Sequence, residues 1–267
     1  MTSIAKLMDI KGRRALVTGA AGGIGRVIAE TLAELGADLI LVDRPDASYG
    51  SLLEDIAIRH GVKVTPCECD LELQEDRNAL IDSVSGKQGG LDILVNNAAF
   101  VGTTGLQGWA TSLENQSIET WRRALEVNLT AAFHLAKGMA PLLSKSAGGS
   151  LINIASIYGL HAPDYSLYRD TEMGNPAAYA VSKGGLIQLT RWLATTLAPN
   201  VRVNAISPGG VFRSQPDAFV RRYEARTPLG RMATENDFRG AIGFLASDMS
   251  SYVTGQILAV DGGWGIW

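Results

Sequence analysis

Thr18-Gly19-Ala20-Ala21-Gly22-Gly23-Ile24-Gly25 decides how this chain folds. It follows a β-rich run, Arg14–Thr18, and opens a helical pattern over Gly23–Leu35. Glycines let the backbone turn sharply and let a ligand come close. The free N–H groups and dipole at a helix start favour an anion, so a strand, glycine turn and helix in this order suit a pyrophosphate. A purely structural tight turn also uses glycines, so the flanking sequence must carry the reading.

Outward from the turn, short apolar runs alternate with helical patterns. The runs are Arg14–Thr18, Asp38–Val42, Lys63–Cys67, Leu91–Val95, Ser150–Ala155, Val201–Ile206 and Gln256–Val260. Most are near-continuous and β-branched, as strands covered on both faces must be. Between them lie helical stretches such as Trp121–Leu143 and Ala177–Leu197. Alternation of this kind predicts an α/β fold, a Rossmann-type doubly wound parallel sheet of about seven strands in three layers. At 267 residues, with 46% apolar and 19% charged side chains, one domain over 1–267 is expected. The Gly89-Gly90 and Gly148-Gly149 pairs read as turns.

Composition excludes several classes. The net charge of −3 comes with no basic stripe, against nucleic acid as a partner. No apolar run spans a membrane and the first residues lack a signal core, so a cytoplasmic protein is expected. Cys67 and Cys69 have the wrong spacing for zinc or redox motifs and would share one strand face as buried thiols; no metal is expected. Arg221, Arg222 and Arg226 form a solvated helix face or an anion contact.

The second strand ends at Asp43, 18 residues after Gly25. That is near the spacing of an acid that hydrogen-bonds an adenosine ribose. A carboxylate there would repel a 2′-phosphate, favouring NAD over NADP, although the Arg44 guanidinium could hold that phosphate.

Tyr179-Ala-Val-Ser-Lys183 places a phenol and an ammonium at i and i+4, on one helix face. A nearby ammonium favours the phenolate and suits the tyrosine to acid–base work. Ser156 ends a strand, where its hydroxyl would face the ligand crevice and could steady charge on a substrate oxygen. Asn128 lies inside a helical pattern, where asparagine is a poor choice for stability; a relay or a plain core hydrogen bond would explain it.

Together these pieces resemble the short-chain dehydrogenase/reductase family in its single-domain form. The matching residues are Thr18–Gly25, Asp43, Asp70-Leu71, Asn96-Asn97-Ala98-Ala99, Asn128, Ser156, Tyr179, Lys183 and Pro208-Gly209, in family order. The resemblance implies that Tyr179 is the general acid/base, that Lys183 also binds the nicotinamide ribose, that Ser156 orients the substrate oxygen and that Asn128 holds a relay water. It implies a cofactor site of Gly19, Gly23, Ile24, Gly25, Asp43, Asp70, Leu71, Asn97, Ala98, Tyr179, Lys183, Pro208, Gly209 and Val211. It also implies a dimer or tetramer, of which a homotetramer is expected. Ala99 stands where the family usually has Gly, and Arg213 where it often has Thr.

Three segments are candidates for substrate loops: 100–117, 157–175 and 212–226. The second is longer than is usual in the family, and its polar and aromatic side chains suit a polyol, sugar or sugar derivative. Ser156, Tyr158, Tyr165, Tyr168 and Tyr179 are the expected substrate contacts. Ala155-Ser-Ile-Tyr-Gly159, Ala162-Pro-Asp164 and Ser207–Phe212 more weakly resemble flagellin-modification and surface-sugar oxidoreductases. The third loop is expected to be a mobile lid, and the apolar tail Gly262–Trp267 a subunit contact. Two other functions fit the same residues: a dinucleotide-binding redox sensor without turnover, and a sugar epimerase or dehydratase with a transient hydride step.

Overall fold

Strand residues alternate between two faces, and here both faces are covered. The computed structural model describes residues 1–86, 90–101 and 106–267. Its strands are β1 (Arg14–Thr18), β2 (Asp38–Asp43), β3 (Val64–Glu68), β4 (Ile93–Asn96), β5 (Gly149–Ile154), β6 (Val201–Pro208) and β7 (Ile257–Val260). They form one parallel sheet in the order β3-β2-β1-β4-β5-β6-β7. The helices are α1 (Ile4–Met8), α2 (Gly23–Glu34), α3 (Leu52–His60), α4 (Gln74–Ser85), α5 (Ile118–Leu125), α6 (Ala131–Leu143), α7 (Ile157–Leu160), α8 (Ala177–Thr196), α9 (Asp217–Arg226) and α10 (Arg239–Ala246).

Val17, Ile93, Val95 and Ile152 pack on one side against Ile28 and Leu32 of α2 and Ile242 and Leu245 of α10. Leu16, Ile40, Leu94 and Leu151 point the other way, into Leu80 of α4, Leu135 and Met139 of α6 and Leu193 of α8. Strand order reverses between β1 and β4, so a crevice opens at their carboxyl ends. Glycine-rich turn, Asp43, Asn97 and Ser156 all lie along that edge of the sheet.

Several boundaries differ from the sequence expectation. The fourth strand starts at Ile93 rather than Leu91, and just ahead of it the Asp92 carboxylate accepts from Arg14 N (2.8 Å) and Ser146 Oγ (2.5 Å). The long helix expected from Trp121 begins at Ile118, where the Ser117 hydroxyl caps Thr120 N, and it is interrupted by a π-helical turn at Glu126–Thr130. Cys69 is buried but Cys67 is only half-buried; both lie against the same cluster. Gly90 has φ +67°, as a turn requires, while Gly89 lies outside the described residues. So does 102–105 of the first substrate loop.

A satellite cluster corrects two expectations. Ile157, Leu167, Phe219, Tyr223, Met232 and Trp264 pack together beneath Tyr158, Tyr168 and Met173. Trp264 is 1% exposed within its own chain, so only Ile266 and Trp267 of the apolar tail face outward. Phe219 and Tyr223 anchor α9 in this cluster, so the α9 part of the expected lid is packed against the body of the protein. Arg222 donates to the carbonyl of Arg169 and Arg226 pairs with Asp164, so two of the three clustered arginines bind the 157–175 loop to α9 rather than an anion.

Candidate active site

The glycine turn is shaped by its neighbours. Gly19 has φ +65°, and a side chain there would sit 2.8 Å from Ala98 Cα. One on Gly25 would lie 2.0 Å from the Gly19 carbonyl oxygen. Asn97 braces this turn: its Nδ2 donates to Thr18 O (2.9 Å) and Gly19 O (3.0 Å). The Thr18 hydroxyl accepts from Asn97 N and Ala98 N, both at 3.1 Å. No side chain caps the start of α2, where Gly22 and Gly23 are exposed. Its first N–H groups remain available to an anion.

Asp43 Oδ2 accepts from Ala21 N at 2.8 Å, so the acid at the end of β2 faces the turn. Asp70 Oδ1 accepts from Glu72 N and its own N–H donates to Asp76, which fixes the Asp70-Leu71 corner. Arg77 was not singled out by the sequence, yet it is buried on α4. It donates to Leu71 O, to His134 Nδ1 (3.1 Å) and to Glu126 (2.6 Å), linking the Asp70-Leu71 corner to the π-turn. An arginine within the buried set of an amphipathic helix is the signal that could have found it. On the far side, Gly209 N donates to Val260 O and Gly210 N to the Tyr223 phenol, and Val211 bridges to Ala233. The carboxyl end of β6, Pro208 onward, is thereby held at the crevice.

Tyr179 stands on the first turn of α8 with Ser156 beside it. Burial raises the Tyr179 pKa, while the Ser156 hydroxyl and the Arg213 charge lower it. Lys183 is buried, and its Nζ donates to the Ile154 carbonyl at 2.7 Å. β4 stops at Asn96, one register position short of Ile154. Burial holds the Lys183 pKa down at about 8. The ammonium lies 5.9 Å from the Tyr179 ring centroid. Arg213 adds a second positive charge that favours the phenolate.

Asn128 is buried in the π-turn. Its Oδ1 accepts from Phe100 N (2.6 Å) and its Nδ2 donates to Ser182 Oγ (2.9 Å). Asn96 Nδ2 to Asn153 Oδ1 (2.9 Å) and Asn153 Nδ2 to Thr190 (2.8 Å) join the sheet to α8 and set the height of Tyr179 and Lys183.

Of the expected substrate residues, Tyr158 and Tyr168 share a hydrogen bond between their hydroxyls at 2.6 Å, and burial raises both pKa values. Tyr165 is exposed, with its hydroxyl 3.5 Å from Asn175 O. Asn175, which the sequence did not single out, is buried with its Oδ1 unpartnered. The Ser156 hydroxyl accepts from Tyr158 N (3.2 Å), tying the strand end to the loop above it. Among the described residues no helix is long and apolar enough to cross a membrane.

A switch-point crevice, an uncapped glycine turn and a half-buried tyrosine beside a buried lysine define a dinucleotide-dependent oxidoreductase. A family model described as enoyl-(acyl carrier protein) reductase matches residues 19–265. The chain is 32% identical over 263 residues to a 3-oxoacyl-[acyl-carrier-protein] reductase FabG of Aquifex aeolicus (strain VF5), covering 96% of this chain and 99% of that one. It is 36% identical over 255 residues to trans-4-hydroxycyclohexanecarboxylate dehydrogenase of Sinomonas cyclohexanicum, covering 93% and 91%. A gluconate 5-dehydrogenase from Burkholderia cenocepacia J2315, in complex with NADP and tartrate, superposes with TM-score 0.86 at 30% identity over 99% of this chain and 100% of that one. A short chain dehydrogenase from Leptospira borgpetersenii with bound NAD+ does so with TM-score 0.82 at 30% identity, covering 99% and 96%. The chain belongs to the short-chain dehydrogenase/reductase family. It is an NAD(P)-dependent oxidoreductase of alcohol and carbonyl groups.

Proposed function

We propose that the enzyme interconverts a secondary alcohol and its ketone on a polyol, sugar or sugar derivative, with NAD as preferred cofactor. One observation carries the reading: Ser156 lies beside Tyr179 beneath a loop that carries three phenols and the buried Asn175 amide. Hydroxyl-rich ligands need that mix of donors, acceptors and flat apolar faces. Relatives named for gluconate and for a hydroxylated ring acid support it.

The bound nicotinamide supplies the hydride acceptor, or the donor in reverse. In oxidation, Tyr179 takes the proton from the substrate hydroxyl; in reduction it returns it. Ser156 donates to the substrate oxygen and steadies its charge. Lys183, already desolvated, would hold the nicotinamide ribose, and Asn128 would hold a water that passes the proton outward. Gly19, Gly23, Ile24 and Gly25 would hold the phosphates; Asp70 and Leu71 would hold the adenine; Asn97, Ala98, Pro208, Gly209 and Val211 would line the remainder. Asp43 would accept from the ribose hydroxyls and repel a 2′-phosphate. Arg44 pairs with Asp46 at 3.3 Å in the free protein.

Two separate apolar faces support a homotetramer. Ile118, Phe133, Val181 and Trp192 are exposed on α5, α6 and α8, and Leu258, Ile266 and Trp267 near the β7 edge. The free thiols Cys67 and Cys69 suit a reducing cytoplasm.

The test is kcat/KM for a panel of sugars, polyols, hydroxy acids and apolar alcohols with each cofactor. Turnover of hydroxylated substrates with NAD is expected. A ratio favouring NADP would overturn the cofactor preference, and turnover confined to apolar alcohols would overturn the substrate class.

A further inference from the structure

Arg213 stands where the family often has Thr, and the structure puts it in an unexpected place. A methyl group built on Gly23, at the uncapped start of α2, would meet Arg213 Nη2 and Glu235 Oε1, each at 2.8 Å. The guanidinium therefore lies over the glycine turn. Arg213 Nε pairs with Glu235 Oε1 at 3.3 Å across 22 residues of chain. Its positive charge also reaches the Tyr179 phenol. One cation thus borders the glycine turn, and its field favours the Tyr179 phenolate.

Its backbone is held for this role. Gln215 accepts from Arg213 N at 2.7 Å and donates to Val211 O at 2.8 Å, and Ser214 takes a positive φ of 58°. The side chain is half-exposed, so it is free to change partner.

We infer that Arg213 binds the cofactor diphosphate, and that Glu235 holds the guanidinium over Gly23 in the free protein and competes with the diphosphate for it. Two phosphates carry more charge than one carboxylate and accept a planar guanidinium in two-point fashion, so the exchange favours the ligand. Glu235, left unpaired beside an anion, opposes binding. The inference concerns phosphate affinity only and is independent of substrate class and of NAD preference.

Calorimetric titration of ADP, adenosine and NADH into the wild type, Arg213→Gln and Glu235→Gln tests it. Arg213→Gln is expected to raise the Kd of ADP about tenfold, the loss of one charge-assisted hydrogen bond, and to leave adenosine within about twofold. Glu235→Gln is expected to lower the Kd of ADP by roughly threefold. An unchanged ADP affinity in Arg213→Gln, or equal losses for ADP and adenosine, would overturn the diphosphate contact. An unchanged or weaker ADP affinity in Glu235→Gln would overturn the competition. A wild type that bound neither ADP nor NADH would overturn both, together with the dinucleotide reading itself.

Discussion

Replacing Trp264 by Ala tests the packing that connects the chain's tail to its active site. Trp264 stacks on Tyr223 with ring centroids 6.1 Å apart, meets Tyr158 edge-on at 6.0 Å, and lies 4.5 Å from the Arg226 guanidinium. Emptying so large a buried site costs about 3–5 kcal/mol, of which each aromatic contact accounts for about 1 kcal/mol. The indole N–H has no partner, so Trp264→Phe loses no hydrogen bond and is expected to cost only about 1–2 kcal/mol. Chemical denaturation followed by circular dichroism measures both variants. Because Tyr223 holds Gly210 N, and Tyr158 sits over Ser156, Trp264→Ala is also expected to raise KM for substrate. A destabilisation below about 1 kcal/mol would refute the intrachain packing. A loss that grew with dilution of the protein would instead return Trp264 to a subunit contact.

Two further outcomes follow from the roles proposed for Lys183 and Ser156. Burial holds Lys183 near pKa 8, below the usual lysine value, so the unfolded chain binds the extra proton between those values and stability contributed by this group rises with pH there. The stability of the wild type relative to Lys183→Met is therefore expected to rise by about 2 kcal/mol from pH ~7.5 to ~9.5; a flat difference would contradict the buried, titrating ammonium. Ser156→Ala removes one donor to the substrate oxygen, and kcat should fall by about 10²–10³-fold with cofactor affinity unchanged; a loss confined to KM would give Ser156 a binding role only.

Features whose physics is local were legible in the sequence. The strand–turn–helix unit, Asp43 and the Tyr179–Lys183 spacing each depend on residues close in the chain. The doubly wound sheet followed from apolar runs that had to be covered on both faces. What escaped depends on partners far apart. Trp264 takes its neighbours from Tyr158, Tyr223 and Arg226, and nothing near the tail announces that it turns inward. Lys183 shares a helix face with Tyr179, yet its ammonium is claimed by Ile154, a carbonyl on another element. Arg77 was hidden because a charged residue on an amphipathic helix reads as solvated until its three partners converge. Asn128 drew notice as a poor helix residue, but only the fold shows that it sits in a π-helical turn.

The central claim is that Tyr179 moves the proton that accompanies hydride transfer. Its most direct test is the rate of reduced-cofactor formation, read by absorbance, for the wild type and Tyr179→Phe on the best hydroxylated substrate. The account predicts a fall of about a thousandfold or more with the NADH Kd little changed. A Tyr179→Phe rate within about tenfold of the wild type would contradict it.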